Sequence, residues 1–289
     1  MNATEAILER VRSLPPLSAT VMQLSRLIRD ERSSASDFER VIRPDPALTA
    51  YLLRLANSAY FGLRGHVQSV RHAITIMGLQ RVYGVAASAA ISKVAPARLV
   101  GYEIDSSVFW LHCTAVAVLA ESLAAELHVP APELTFTAGL LHDLGKLVVG
   151  TCVSLESSEL LTRLRDGEVA FVAAERDTLG IDHAEVGGAV AETWSLPAAV
   201  AAAARWHHRP GAEVPEEHRS LVDLVHAADG LSHSLGLGVD VGEMARAVDP
   251  GVTARLGVRS RRLEHVASQA LEQIQEMGRL FAAPLGGAA

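Results

Sequence analysis

Apolar residues recur along almost the whole chain at steps of three and four positions, and this spacing is the feature that most constrains the fold. Side chains three and four positions apart lie on the same face of an α-helix, so the spacing predicts amphipathic helices. No segment shows the apolar–polar alternation of a half-buried strand. Proline, glycine, serine or aspartate marks the breaks between the periodic segments. The sequence therefore predicts an all-α protein.

The composition agrees with this fold class. Of the 289 residues, 49% are hydrophobic but only 4% are aromatic, which favours helices packed closely through small side chains. Two cysteines, Cys113 and Cys152, are too few for a disulfide framework. The N-terminal segment lacks the apolar run of a signal peptide or a membrane span. We expect a cytoplasmic protein with no membrane association.

The breaks divide the chain into two helical parts. We predict a small N-terminal helical subdomain over residues 1–95 and a second helical subdomain, with a C-terminal core-packing helix, over residues 96–289. The short helices of the first part are predicted to break at residues 33–34, 44–46 and 62–65. In the second part, the predicted helix starts are Asp105, Pro132, Asp182 and Pro197, and the predicted ends are Pro210 and Gly230.

Several histidines and acids lie on the apolar faces of the predicted helices. In the helix predicted over residues 107–127, His112 is in line with Val116 and Leu119, which predicts that its ring is buried. A single histidine of this kind is better explained as a neutral ring hydrogen-bonded in the core. The placement recurs on four further helices, at His142 with Asp143, at His183, at His207 with His208, and at Asp229.

The joint occurrence of these groups indicates a metal site. A buried carboxylate is costly unless it is paired, hydrogen-bonded or bound to a cation, and histidine is the commonest metal ligand. Neutral imidazoles with carboxylates match divalent transition metals such as Fe, Mn, Zn, Co or Ni. We therefore predict that the helices converge on a pocket that binds one or two ions.

Lys146 is one of only two lysines in the chain. On a continuous helix starting at Pro132, it would lie one turn beyond His142 and Asp143, so the three polar groups could converge. An ion pair with Asp143 and a contact with a phosphate oxygen are equally compatible with this position.

These positions resemble the HD superfamily of metal-dependent phosphohydrolases, in which a His, a His-Asp doublet and a downstream Asp lie on helices. The matching residues here are His112, His142, Asp143 and Asp229. The additional residues His183, His207 and His208 resemble the further ligands of dinuclear members, which include cyclic-dinucleotide phosphodiesterases.

The resemblance implies a role for each position. Asp143 would bridge two ions and Lys146 would face a phosphate group, which makes these two the candidate catalytic residues. One ion would be completed by His112, His142 and Asp229, and the other by His183, His207 and His208. In working enzymes of this type, the metal pair activates water and polarises a phosphoryl oxygen.

The first half of the chain narrows the resemblance to the HDOD (HD-related output domain) family. The motifs that carry it are Leu14-Pro15, Asp45-Pro46, the run from Ala56 to Gly62, and Ala73-Ile74 followed by Gly78-Leu79. The likeness extends from about residue 14 to about residue 235, and the Asn-Ser-Ala-Tyr-Phe-Gly run is its most specific signal. It implies an all-helical bacterial signalling module without a generally established enzymatic activity.

This chain differs from typical HDOD members in its ligand positions and from cyclic-di-GMP phosphodiesterases in the motif that follows them. Many HDOD members resemble an HD fold with ligands missing, whereas this chain keeps every position. Cyclic-di-GMP phosphodiesterases carry a Gly-Tyr-Pro motif, whereas here His208 is followed by Arg209-Pro210-Gly211. The resemblance thus favours metal binding and weakens that particular substrate.

Two functions remain open from the sequence. The first is a regulatory or adaptor module that senses a metal or a phosphate-bearing ligand and acts on signalling proteins. The second is a metal-dependent phosphohydrolase or phosphodiesterase acting on a nucleotide or a cyclic mono- or dinucleotide. DNA binding through the short helices around residues 36–60 is not expected, because the net charge is −7 and Arg40, Arg43 and Arg54 are better explained as a solvated face.

Overall fold

The computed structural model describes residues 2–129, 132–152, 171–237, 248–258 and 260–282. The first part contains α1 (Ala3–Arg12), α2 (Ala19–Leu27), α3 (Ala35–Ile42), α4 (Pro46–Ala56), α5 (Val70–Met77) and α6 (Leu79–Ser92). The second part contains α7 (Ser106–Leu127), α8 (Thr135–Leu141), α9 (Leu144–Cys152), α10 (Phe171–Leu179), α11 (His183–Thr193), α12 (Ala198–Trp206), α13 (Arg219–Ser234), α14 (Pro250–Leu256) and α15 (Ser260–Ala282). The all-α prediction is confirmed.

One small strand pair lies between the two parts. Strand β1 (Arg98–Leu99) pairs antiparallel with β2 (Ile104–Asp105), and a 3₁₀ turn over Val100–Tyr102 connects them. Strands of two residues are too short to show alternation in the sequence, which is why the pattern did not predict them.

Helix α7 is the centre of the second part. It is 22 residues long, and α8, α13 and α15 pack along it. By length and composition alone it could cross a membrane, but 72% of its most apolar window is buried inside the protein. Its apolar residues therefore serve as the core against which the other helices are positioned.

The buried side chains of both parts belong to one continuous core. Phe38 and Leu55 of the first part and Leu119 and Leu140 of the second are at most 1% exposed and lie in the same cluster of apolar contacts. The boundary at residues 95–96 remains a prediction.

The Asn-Ser-Ala-Tyr-Phe-Gly run, which is the most specific family signal in the first half of the chain, has a structural role. The Asn57 side chain donates hydrogen bonds to the carbonyls of Leu53 (2.7 Å) and Val67 (2.9 Å), and it accepts one from the Val67 amide (2.8 Å). Tyr60 donates through its hydroxyl to Glu121 of α7 at 2.9 Å. The run thus closes its own loop and ties the first part to α7.

Three local predictions in the second part need correction. Gly230 does not end a helix but is buried inside α13, where packing outweighs the weak helix propensity of glycine. Asp105 precedes α7 as predicted, but the side-chain capping bond expected of an aspartate at this position is not formed. The helix predicted from Pro132 starts at Thr135 and ends at Leu141, so His142 and Asp143 lie in a break before α9.

Helices α9 and α11 approach each other through glycine. A Cβ atom on Gly145 would collide with the carbonyl oxygen of His183 and would lie 2.6 Å from the Gly187 amide nitrogen. Both obstacles are backbone atoms, which cannot rotate away as a side chain can. The close approach at Gly187 places α11 directly beside the helix that carries Lys146.

We expect Gly145→Ala to lower the free energy of unfolding by about 1–3 kcal/mol, because the helices must separate to admit the methyl group. Urea denaturation followed by circular dichroism measures the change. The matched control is Gly211→Ala, because a Cβ there would meet nothing within 4 Å. Equal stabilities of the two variants would contradict the close packing.

Candidate metal centre

The seven predicted ligands meet in the interior of the second part. His112 lies on α7, His183 is the first residue of α11, and Asp229 lies on α13. His142 and Asp143 occupy the break between α8 and α9, and His207 and His208 directly follow α12. All except His208 are at most 2% exposed. Residues far apart in the sequence thus form a single buried cluster.

The first group of ligand atoms surrounds one oxygen of Asp143. His112, His142 and Asp229 offer atoms that all lie within 4.8 Å of one another. The Nε2 atom of His112 is 3.5 Å from Asp143 Oδ2 and 3.3 Å from Asp229 Oδ1. The Nε2 atom of His142 is 3.4 Å from Asp143 Oδ2 and 3.9 Å from Asp229 Oδ1.

The second group surrounds the other oxygen of the same carboxylate. Asp143, His183, His207 and His208 offer atoms within 4.8 Å of one another. The Nε2 atoms of His183 and His207 are each 3.5 Å from Asp143 Oδ1. The Nε2 atoms of His183 and His208 are 2.6 Å apart. Asp143 therefore stands between the two groups and presents one oxygen to each.

The distances from the histidine nitrogens to the Asp143 oxygens fit metal ligation better than hydrogen bonding. Zinc, for example, binds imidazole nitrogen and carboxylate oxygen at about 2.0–2.2 Å, so two ligands in tetrahedral positions are about 3.4 Å apart. The nitrogens of His112, His142, His183 and His207 lie 3.4–3.5 Å from the nearest Asp143 oxygen. Such distances are too long for good hydrogen bonds.

In the deeply buried histidines, the ring nitrogen Nδ1, which does not face Asp143, forms a hydrogen bond to a group outside the cluster. The Nδ1 atom of His142 donates to the Gly139 carbonyl at 2.7 Å, and that of His207 donates to the Ala204 carbonyl at 2.8 Å. The Nδ1 atom of His112 is hydrogen-bonded to Ser232 Oγ at 2.8 Å. A donating Nδ1–H leaves the Nε2 lone pair directed at the centre, as in metal-ligating histidines.

Several atoms at the centre are left without hydrogen bonds. The Nε2 atoms of His112, His142 and His207 and the Oδ1 atom of Asp143 are buried and make no hydrogen bond to any residue that the structure describes, and Asp143 Oδ2 has only its ion pair with Lys146 among those residues. Buried polar atoms in proteins are nearly always satisfied. A cation in each of the two groups would satisfy these atoms, so the residues present fit metal ions.

The electrostatics favour the ligand forms of two residues. Burial by itself would raise the pKa of Asp143, but the charge of the Lys146 ammonium holds that pKa well below its usual value. Burial lowers the pKa of His207 to about 4. Asp143 is therefore an anion and His207 a neutral ring at neutral pH, which are the protonation states that bind metals.

Lys146 forms the ion pair that was one of its two predicted roles. Its Nζ atom lies 3.0 Å from Asp143 Oδ2, and the residue is only 2% exposed. The ammonium also stands over the Tyr102 ring, 5.8 Å from its centroid. The contact with phosphate remains a prediction.

Two further buried residues, His233 and Glu175, contact the cluster but were not predicted from the sequence. His233 lies one helical turn after Asp229, and its Nε2 is 3.3 Å from Asp229 Oδ1. The four-residue spacing on α13 was a usable signal for it. Glu175 accepts a hydrogen bond from His183 Nδ1 at 2.7 Å. No local pattern marks Glu175, because its role depends on how α10 packs against α11.

An all-helical domain in which a His, a His-Asp doublet and a downstream Asp meet at its centre resembles the HD superfamily. More specifically, the chain belongs to the HDOD domain family, whose model matches residues 14–210.

Solved structures share this fold. An HDOD domain protein of unknown function from Geobacter sulfurreducens superposes with a TM-score of 0.75 at 24% identity, over 99% of this chain and 98% of that one. A candidate phosphohydrolase from Shewanella amazonensis SB2B gives a TM-score of 0.74 at 24% identity, over 96% and 98% of the two chains. At these identities the likeness supports the shared fold.

A sequence relative extends the comparison. An uncharacterized protein of Treponema pallidum (strain Nichols) is 29% identical over 235 residues, which cover 78% of this chain. The match spans only 43% of that relative, so less than half of its length has a counterpart here.

Proposed function

We propose that this chain is a bacterial, cytoplasmic signal-transduction module whose buried pocket binds one or two divalent transition-metal ions and which regulates a partner protein. The observation that carries the proposal is a set of buried imidazoles around the Asp143 carboxylate, whose Nε2 atoms make no hydrogen bond to the described residues while Nδ1 of His142 and His207 is bonded to a backbone carbonyl. Membership of the HDOD family supports the signalling role.

The proposed ions are held by the two groups described above. One site uses His112, His142 and Asp229, the other uses His183, His207 and His208, and Asp143 serves both. Iron, manganese, zinc, cobalt and nickel all suit such a donor set. A bound pair would supply Lewis-acid polarisation to a phosphate-bearing ligand. The surrounding protein orients the ligating nitrogen and oxygen atoms, and the burial of the centre excludes water.

The burial of the centre favours binding over turnover. Lys146 and all the proposed ligands except His208 are at most 2% exposed, so a substrate phosphate would need an opening to reach them. A small ion requires less space, and it binds side chains from α7, α11 and α13 at once. Metal occupancy would therefore stabilise the folded arrangement of these helices, which is a change that a partner protein can detect.

A second candidate function is metal-dependent hydrolysis of a nucleotide or a cyclic mono- or dinucleotide. The complete set of HD-type positions and the Lys146 ammonium 3.0 Å from Asp143 favour it. In this case, Lys146 would contact a phosphate oxygen as a point charge.

Metal analysis of protein purified without a His-tag tests the proposal. We expect one or two ions per chain by elemental analysis, and a thermal midpoint that falls when a chelator removes them. The loaded protein is then assayed with cyclic dinucleotides, cyclic mononucleotides and nucleotides. No turnover is expected of a regulatory module, whereas robust metal-dependent hydrolysis would favour the second candidate. A chain that binds no transition metal would overturn both.

A further inference from the structure

Glu175 is linked to the proposed metal centre through His183. The residue lies on α10, and its side chain is fully buried. Its Oε2 atom accepts hydrogen bonds from the His183 ring at Nδ1 (2.7 Å) and from the His183 backbone amide (2.8 Å). One carboxylate thereby fixes both the ring and the first backbone amide of α11.

The other carboxylate oxygen of Glu175 also accepts a hydrogen bond. The Tyr102 hydroxyl donates to Oε1, so the carboxylate is held from two directions. Tyr102 lies in the 3₁₀ turn between β1 and β2, and its ring faces the Lys146 ammonium. The position of Glu175 is therefore set by packing between separate segments and not by α10 alone.

The anchor of His183 differs in charge from those of His112, His142 and His207. His142 and His207 donate to backbone carbonyls, and His112 pairs with a serine hydroxyl. Hydrogen bonds to an ionised acceptor are about twice as strong as neutral ones, and a carboxylate partner raises the basicity of a ligating imidazole.

We propose that Glu175, held by Tyr102, is a positioning residue that makes the group of Asp143, His183, His207 and His208 the tighter of two inequivalent ion sites. The proposal rests on the proposed function, in that ions must bind at all. Glu175 does not touch the ion. It orients His183 and increases the electron donation of its Nε2 atom.

Titration of the full chain with Co²⁺ tests this inference, because visible absorption reports the ligand field of each bound ion. In the parent protein we expect two binding steps with distinct spectra. In Glu175→Gln, which keeps the size of the side chain but not its charge, the tighter step should weaken by about 10–100-fold. The spectrum of the other step should be unchanged. Tyr102→Phe should weaken the same step by a smaller factor.

Glu185→Gln is the matched control, because Glu185 lies on α11 near His183, but its side chain is 35% exposed and pairs with Arg176 and Arg209. It should leave both steps unchanged. If the parent binds cobalt while Glu175→Gln and Tyr102→Phe bind it with parental affinity and spectrum, the inference alone fails. If Glu175→Gln does not fold, Tyr102→Phe decides. A parent that binds no cobalt or other transition metal removes the proposed function first.

Discussion

Replacing Asp143 by asparagine is expected to reduce the metal content of the protein from one or two ions per chain to nearly none. The two carboxylate oxygens face different groups of histidines, at 3.4–3.5 Å from four Nε2 atoms. Asparagine has the same shape but offers one neutral oxygen and one amide nitrogen, which is a donor and cannot ligate a cation. Both sites would lose their shared anionic ligand in a single change.

Elemental analysis of untagged Asp143→Asn protein measures this effect, with circular dichroism as the check that the helices form. The control is Asp105→Asn at the start of α7, because the Asp105 side chain is exposed and makes no capping bond. That variant should retain the parental metal content. Retention of the full metal content by Asp143→Asn would show that the ions bind elsewhere.

Replacing Lys146 by methionine is expected to lower the free energy of unfolding of the metal-depleted protein by about 3–5 kcal/mol. Lys146 and Asp143 are at most 2% exposed and 3.0 Å apart, so the change leaves a buried carboxylate without its nearest positive charge. In the metal-loaded protein the loss should be clearly smaller, because bound cations also compensate Asp143. Urea denaturation with and without chelator measures both values.

The chain supplies a matched control for this experiment. Lys93 is the other lysine, and it is exposed after α6. Lys93→Met should change the stability by no more than a few tenths of a kcal/mol in either condition, as is usual for surface substitutions. An equal loss for Lys146→Met with and without metal would mean that no cation compensates Asp143.

Local sequence patterns determined much of the fold. The spacing of apolar residues predicted helices, because side chains on one face of a helix are three or four positions apart. The cap at Asp182 was also readable: its carboxylate accepts the Glu185 amide at 2.8 Å, so α11 begins at His183 as expected. These signals depend on residues within one or two helical turns of each other, so they can be recognised in a single sequence.

The interior direction of the candidate ligands could be predicted for the same reason. His112 and Asp229 share helix faces with apolar residues, so burial of those faces carries the polar groups inward. The assignment of Asp143 to both groups came from resemblance to a family. The structure gives it a geometric basis, since one oxygen lies beside His112 and the other beside His183.

The sequence by itself thus determined the helices, their buried faces and which imidazoles and acids point inward, because each depends on spacing within one element. Only the tertiary structure decided that α8 ends before His142, that Glu175 anchors His183, and that the backbones of α9 and α11 touch at Gly145. These features depend on contacts between segments distant along the chain. Local periodicity does not contain that information, because the relative placement of helices is set by the packing of the whole core.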